Sequence, residues 1–409
     1  MNKSAVLLDE IIISDESGFA CSKTKLVENG LVHLRPFNVT NDGHLSFEQL
    51  YRVPPGEAPN GKGILEKGDI LFNNTNSTEL VGKAALISQR MEAGFSNHLT
   101  RIRVDETRVL PQFMVYWLRR TRDSGYFSAH ATQWVSQAAF KSSELRHLEM
   151  PIPPLDEQRR IVDILSRAEG IVRLRREAEK KAAEIIRALF LDMFGDPATN
   201  PRGWPAKKVG DVVSSIDSGH SPKCNDRQKN EHEWGVLRLS AVTMCEYLES
   251  EHKTLPDEID YDPTIEVQQG DLLLSRKNTY DLVGACAYVW KTRGKMLLPD
   301  LIFRLQIYDK QVLNPIYLWS LLTTEAKRAS LKKLANGSAG SMPNISKQRL
   351  RTLNIELPPI EMQLSFAKTV EQIQSVRVQQ KAAIQKAEAA FDALLARAFN
   401  SDGSNGGRP

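Results

Sequence analysis

The feature that most constrains this chain is an internal repeat. Residues 66–82, Glu-Lys-Gly-Asp-Ile-Leu-Phe-Asn-Asn-Thr-Asn-Ser-Thr-Glu-Leu-Val-Gly, return without a gap as residues 268–284, Gln-Gln-Gly-Asp-Leu-Leu-Leu-Ser-Arg-Lys-Asn-Thr-Tyr-Asp-Leu-Val-Gly, 202 positions later. The stretch Pro153-Pro-Leu-Asp-Glu-Gln158 returns as Pro358-Pro-Ile-Glu-Met-Gln363. A fainter echo links Ser17-Gly18, Leu34-Arg35 and Val39-Thr40 to Ser218-Gly219, Leu237-Arg238 and Val242-Thr243. A unit of ~200 residues present twice implies two similar surfaces, which suit a partner that itself has two halves.

Each copy has two textures. Short apolar runs bounded by turn residues, such as 69–72, 81–87, 271–274 and 283–289, read as strands. One helix is expected per copy from Phe113 to Arg120 and from Ile316 to Leu322, each after a proline suited to a helix start. The mixed parts therefore read as two α+β globular domains. Residues 156–194 and 361–399 differ: they contain no proline, glycine only at Gly170, and mostly strong helix formers. Apolar or small residues recur at Ile161, Ile164, Ala168, Ile171, Ala178, Ala182, Ile185 and Leu189, with Arg175 in one slot. In the second copy Phe366, Val370, Ile373, Ile384, Ala387, Phe391, Leu394 and Ala398 do the same, with Arg377 and Gln380 in the seam. This spacing predicts two long helices packed on each other as a coiled coil. Pro153-Pro154 and Pro358-Pro359 open the helices, and Gly195 closes the first.

The expected order is a domain over 1–152, a long helix over 153–196, a domain over 197–357, a long helix over 358–400 and a disordered tail over 401–409. With 409 residues the chain is too long for one core. A net charge of +4 permits an acidic partner without demanding one, so any electrostatic footprint must be local. The four cysteines form no Cys-x-x-Cys pair, which argues against a disulfide framework or zinc site and for a cytoplasmic setting. No run approaches 18 apolar residues, so export and membrane spanning are not expected.

Taken in order, these motifs resemble the DNA-specificity (S) subunits of type I restriction-modification systems. The resemblance runs through Gly203-Trp204, Val209-Gly-Asp-Val212 and Ser218-Gly219, the Gly-Asp-Leu-Leu-Leu-Ser-Arg run at 270–276, and Pro343-Asn-Ile-Ser-Lys347. It continues in Leu357-Pro-Pro-Ile-Glu-Met-Gln363, and in the first copy in 151–158 and 188–197. It covers about residues 17 to 400. The first copy lacks the Gly-Trp and Val-Gly-Asp-Val opening, which leaves its first strand uncertain, and its 137–142 loop diverges from Pro-Asn-Ile-Ser. The resemblance implies an α+β fold with an internal pseudo-two-fold repeat: two target-recognition domains separated by two long antiparallel coiled-coil helices. Each domain would read one half of a split site in double-stranded DNA. Two methyltransferase subunits would dock on the helices, and translocase-nuclease restriction subunits could join. S-adenosylmethionine, ATP and magnesium would belong to those partners, none being bound by this chain.

No catalytic constellation is legible. A Gly-x-x-x-x-Gly-Lys-Ser/Thr phosphate loop, a Rossmann glycine loop and an Asn/Asp-Pro-Pro-aromatic methyltransferase motif are all missing. Asp226 with Glu251 and Lys253 outlines a nuclease site, and His220 with Cys224 a metal pair, but ordinary loops are the better reading. Candidate DNA contacts follow from residue type, since lysine and arginine bind phosphate while Arg, Lys, Asn and Gln read base edges. Asn73, Asn74, Asn76 and Ser77 follow one strand, and Arg276, Lys277, Asn278 and Tyr280 follow its repeat. A plain solvated turn is the alternative. Lys332, Lys333, Asn336, Ser338, Asn344 and Lys347 form a second cluster, either DNA-contacting or simply flexible. Gln133 and Lys141 lie in its first-copy counterpart, where Trp134 is assigned to the core rather than to base stacking. Arg35 and Arg238 could reach DNA or serve internal ion pairs. On the helices, Arg160, Arg167, Arg173, Arg176, Gln374 and Arg377 are candidates for subunit docking, against a merely solvated face. A protein-only coiled-coil adaptor without DNA readout is the competing function, supported by the modest net charge.

Overall fold

The computed structural model describes residues 5–135, 137–336 and 342–399, without the side chains of Pro55 and Ala183. The expected tail at 401–409 and the candidate Ser338 lie outside the described residues. The chain divides into two compact units, Met1–Arg175 with Ala383–Pro409, and Arg176–Ala382. Both boundaries fall inside the two long helices, Leu155–Phe194 and Ile360–Phe399.

In the first unit an antiparallel sheet runs in the order Ile12–Ser17, Leu99–Val104, Ile70–Asn73, Ala84–Leu86. Its partner in the second unit runs Val213–Ser218, Ile302–Ile307, Leu272–Ser275, Cys286–Tyr288, the same order. The Ile70–Asn73 and Leu272–Ser275 strands are buried at every residue, which is why they read as unbroken apolar runs rather than alternating ones. A second small sheet in each unit contains one parallel pair, Leu31–Leu34 with Met91–Phe95 and Gly235–Leu237 with Met296–Leu297. The uncertain first strand exists: Ala5–Leu7 pairs antiparallel with Glu149–Pro151, as Ala206–Lys208 pairs with Asn354–Glu356.

The repeated motifs prove to be scaffold. Gly82 and Gly284 sit at φ +87° and +75°. A Cβ at Gly82 would stand 2.2 Å from the Phe127 ring, and one at Gly284 2.9 Å from Leu331 Cβ. Only glycine satisfies both the left-handed turn and the close approach. The repeated aspartate is structural as well. Asp69 accepts from the Glu66 N–H and pairs with Arg103, while Asp271 accepts from the Gln268 N–H and pairs with Arg304. Burial pushes the Asp271 carboxyl upward, and these hydrogen bonds oppose it.

Each globular region packs on the start of one long helix and the end of the other. In the first unit Ile161, Leu165, Phe391, Leu395 and Phe399 join the core, and the Phe113 and Phe399 rings lie 5.0 Å apart. In the second, Ile186, Phe190, Phe194, Phe366 and Val370 join the core, and Tyr317 lies 4.8 Å from Phe194. The two long helices begin and end within two residues of the expected 153–196 and 358–400, and the shorter ones run longer than expected, Pro111–Asp123 against 113–120 and Pro315–Thr323 against 316–322. The expected inner stripe of the first helix agrees only in part, at Ile161, Ala168 and Leu189. Ile164, Ile171 and Ile185 are exposed, at 39%, 49% and 54%, while Ile161, Leu165, Val172, Ile186 and Phe190 are buried. Two apolar stripes run side by side at heptad spacing, and periodicity alone does not say which one the other elements cover.

Candidate nucleic-acid interface

Two loops far apart in sequence meet at one edge of each globular region. In the first unit the chain leaves the Ile70–Asn73 strand and forms a short strand, Thr75–Asn76. That strand pairs with Ala138–Ala139, which pairs in turn with Thr132–Gln133. The Phe140 N–H donates to the Asn74 carbonyl at 2.8 Å. In the second unit the equivalent bond runs from the Ile345 N–H to the Arg276 carbonyl, also at 2.8 Å. The Arg276 Nε donates to Asn344 Oδ1 at 3.1 Å, and bridges link Lys277 and Asn336 to Asn344. Both candidate clusters of each copy thus belong to one edge, although more than 50 residues separate them in sequence.

Several candidates do not present their side chains there. Asn73 is fully buried. With its amide oriented by its hydrogen bonds, Asn73 Nδ2 donates to the Thr75 carbonyl and Oδ1 accepts from Asn76 Nδ2. Asn278 is 5% exposed, and its Oδ1 accepts from the Thr279 N–H. Asn76 Oδ1 likewise accepts from the Ser77 N–H. These asparagines build the turn, because a short amide side chain mimics a backbone partner there. Asn74 is half-buried and donates to Thr100 Oγ1.

What reaches solvent differs between the copies. In the first unit these are Gln133, Lys141 and Trp134, with Ser77 half-buried. Trp134 is 60% exposed, which corrects its assignment to the core. It stands at the end of a hairpin whose neighbouring sheet is too small to cover it. In the second unit Lys277, Tyr280, Lys333, Asn336 and Lys347 are exposed. Phe303 carries two cations over its ring, Arg276 at 5.1 Å and Lys347 at 5.8 Å from the centroid. Lys332 pairs with Asp281 at 3.2 Å and lies over Tyr280.

Arg35 and Arg238 sit at the ends of the Leu31–Leu34 and Gly235–Leu237 strands and are engaged internally. Arg35 donates to the Cys21 carbonyl and covers the Tyr51 ring, and Arg238 pairs with Asp226 and donates to the His252 carbonyl. Asp226, the first member of the outlined nuclease triad, is taken up by Arg238 and Lys253. Among the described residues no group of three His, Cys, Asp or Glu is placed to hold a metal ion, and no helix is long and apolar enough to cross a membrane.

The helix candidates also divide. Arg160 and Arg167 pair with Glu157 and Asp163 on their own helix face, and Arg173 and Arg176 are exposed. Arg377, 15% exposed at its side chain, pairs with Glu246 of the globular region, and Gln374 Oε1 accepts from Arg377. Arg377 thus latches the domain to the helix, held by Gln374, instead of facing outward. The first unit has its own latch at the matching place, His44 Nε2 to Glu169 Oε2 at 3.2 Å, joined by Arg119. Its charges are reversed: the cation is on the domain and the anion on the helix. Sequence reading missed both latches: it placed Arg377 in the helix seam and among docking residues, and His44, Glu169 and Glu246 belong to no motif.

Sequence reading also missed how the repeated glutamine works. Gln158 and Gln363 are fully buried. Gln158 accepts from the Leu110 N–H and donates to the Arg108 and Pro153 carbonyls. Gln363 accepts from the Asn314 N–H and donates to the Val312 and Pro358 carbonyls. One side chain thus ties each helix start to the loop that precedes the Pro111–Asp123 or Pro315–Thr323 helix.

A duplicated mixed α/β unit, each copy presenting a two-loop polar edge on a rigid strand, defines a recognition module. The chain belongs to the family of type I restriction modification DNA specificity domains, whose sequence model matches residues 53–184 and 201–387. It is 34% identical over 209 residues to the type I restriction enzyme EcoEI specificity subunit of Escherichia coli, covering 50% of this chain and 35% of that one. It is 23% identical over 349 residues to a putative type I restriction enzyme MjaX specificity subunit of Methanocaldococcus jannaschii, covering 80% and 77%. The fold resembles the S subunit of a type I restriction-modification system from M. genitalium, with a TM-score of 0.59, 12% identity, and 98% and 97% of the two chains covered. It also resembles a chain from a structural study of complex assembly and conformational transition in the type I R-M system, with a TM-score of 0.54, 20% identity and 98% of each chain covered.

Proposed function

We propose that this chain is the non-catalytic DNA-reading subunit of a type I restriction-modification complex. The observation that carries the reading is the two-loop edge built twice on matching scaffolds but furnished with different side chains. Two edges that differ suit a bipartite site whose halves differ. In the second unit Lys277, Lys333 and Lys347 supply phosphate contacts, with Arg276 and Asn336 near base edges. In the first, Gln133 is the base-reading amide and Lys141 the phosphate contact.

The two 40-residue helices, each about 60 Å long at 1.5 Å per residue, pair antiparallel as a coiled coil and fix the gap between half-sites. Two methyltransferase subunits dock on their outer faces, where exposed Ile164, Ile171 and Leu174 lie among Arg160, Arg167 and Arg173. Restriction subunits join that assembly. S-adenosylmethionine and base flipping belong to the methyltransferase, and ATP and magnesium to the partners as well. The complex works in the cytoplasm.

Methylation-site mapping in the host with and without this gene tests the reading. A bipartite motif that disappears with the gene is expected, and an unchanged methylome refutes it. Deleting one heptad from each long helix should alter the recognised gap, and an unaltered gap refutes the ruler.

A further inference from the structure

The first unit's edge carries a feature that the polar residues do not explain. Thr132–Gln133 and Ala138–Ala139 form a two-stranded ribbon, closed where the Trp134 N–H donates to the Gln137 carbonyl at 2.7 Å. At its tip Trp134 is 60% exposed and Val135 fully so. The ribbon is anchored at its base by pairing with Thr75–Asn76. An exposed tryptophan beside an exposed valine leaves a large apolar surface in water, at the same edge as Gln133. The second unit's edge is furnished instead with Lys277, Lys333 and Lys347.

We propose that this ribbon enters the DNA major groove and that Trp134, backed by Val135, reads thymine through its C5 methyl group. The inference rests on the DNA-reading function above and assigns a specificity-determining residue within it. The groove is about 12 Å wide and admits a two-stranded ribbon. Of the groups displayed there by the four bases, only the thymine methyl is apolar, so an indole and an isopropyl tip match thymine and no other base. The neighbouring Gln133 amide suits an adjacent adenine, which offers N6 and N7 to a bidentate amide. The first half-site is therefore expected to include a thymine read without a charged contact, whereas the second is held mainly by cations.

The test uses the full-length chain and a duplex carrying the mapped bipartite site. Each thymine of both halves is replaced singly by deoxyuridine, which removes only the methyl group. At one position this should weaken wild-type binding roughly four-fold, the worth of one buried methylene-sized group. For Trp134→Ala the same replacement should have no effect, while Trp134→Phe should keep part of it. The salt dependence of binding should be the same for Trp134→Ala and wild type, because no phosphate contact is lost. An equal loss from deoxyuridine in wild type and Trp134→Ala overturns the proposal, as does a half-site in which no thymine matters. A wild-type chain that does not distinguish the mapped duplex from a scrambled one overturns the DNA-reading function itself. Because Trp134 is exposed, its replacement should leave the thermal transition unmoved, which separates lost contact from lost folding.

Discussion

Gln363→Ala is the most informative single perturbation of the scaffold. The side chain is fully buried and makes three hydrogen bonds, at 2.9 Å from the Asn314 N–H, 3.2 Å to the Val312 carbonyl and 2.8 Å to the Pro358 carbonyl. Each is worth about 1 kcal/mol net, and a buried group left without a partner costs about 1–3 kcal/mol more. Alanine removes all three partners at once, so a loss of roughly 3–5 kcal/mol is expected, near the upper end for single substitutions. For a folding unit of about 200 residues this corresponds to a drop of roughly 10 °C in its transition. Hydrogen exchange read by mass spectrometry localises the effect. Peptides over 312–318 should lose protection, while those over 108–114, held by Gln158, should not. Gln363→Glu sharpens the argument: its carboxylate can still accept from Asn314 but turns negative charge toward two carbonyls. The folded-state pKa of that carboxyl must rise, so the variant should be least impaired well below pH ~4, where the acid is protonated and donates, and should lose stability as pH rises. A cost under about 1 kcal/mol for Gln363→Ala, or equal loosening of both units, would refute the hydrogen-bond reasoning.

Other expectations concern the latches and the loops. The Glu169 hydrogen bond holds the His44 imidazole above its ordinary pKa, with Asp42 adding to this and Arg173 opposing it. The stabilisation is complete below pH ~6.5 and is lost as pH rises through the raised folded value. His44→Ala should therefore flatten the pH dependence of the first unit's stability near neutrality, by less than about 1 kcal/mol because the pair is partly exposed. In the second unit a double-mutant cycle over Glu246 and Arg377 should yield a coupling of about 0.5–1 kcal/mol, and zero coupling would show that the latch does not hold the domain. If the proposed DNA contacts are right, Lys277→Ala and Lys347→Ala should each lower the salt slope of binding by about 1, a change visible in filter or anisotropy titrations.

Local signals carried much of the architecture. The strands at 70–73 and 272–275 announce themselves because buried strands are unbroken apolar runs. The long helices do so because heptad spacing, helix formers and Pro-Pro starts all act within a few residues. Conversely, the first copy's opening strand, Ala5–Leu7, carries no motif and shows itself only through its pairing with Glu149–Pro151. The asparagines of 73–78 and 275–280 looked like surface groups because polarity was the only clue. Their amides instead satisfy the turns they occupy, which requires knowing where the backbone goes.

By itself, then, the sequence determined that one scaffold occurs twice, that two long helices interrupt it, and that Pro-Pro pairs open those helices. These depend on backbone conformation and short-range periodicity, which the order of residues encodes directly. Only the tertiary structure decided that Leu165 and Val172 face inward while Ile164 and Ile171 face out. It alone put Arg377 in a latch with Glu246, left Trp134 at an exposed tip, and joined two distant loops into one edge. Those outcomes depend on which surfaces meet across long sequence separations, and residue type says what a side chain tolerates, not what comes to lie against it.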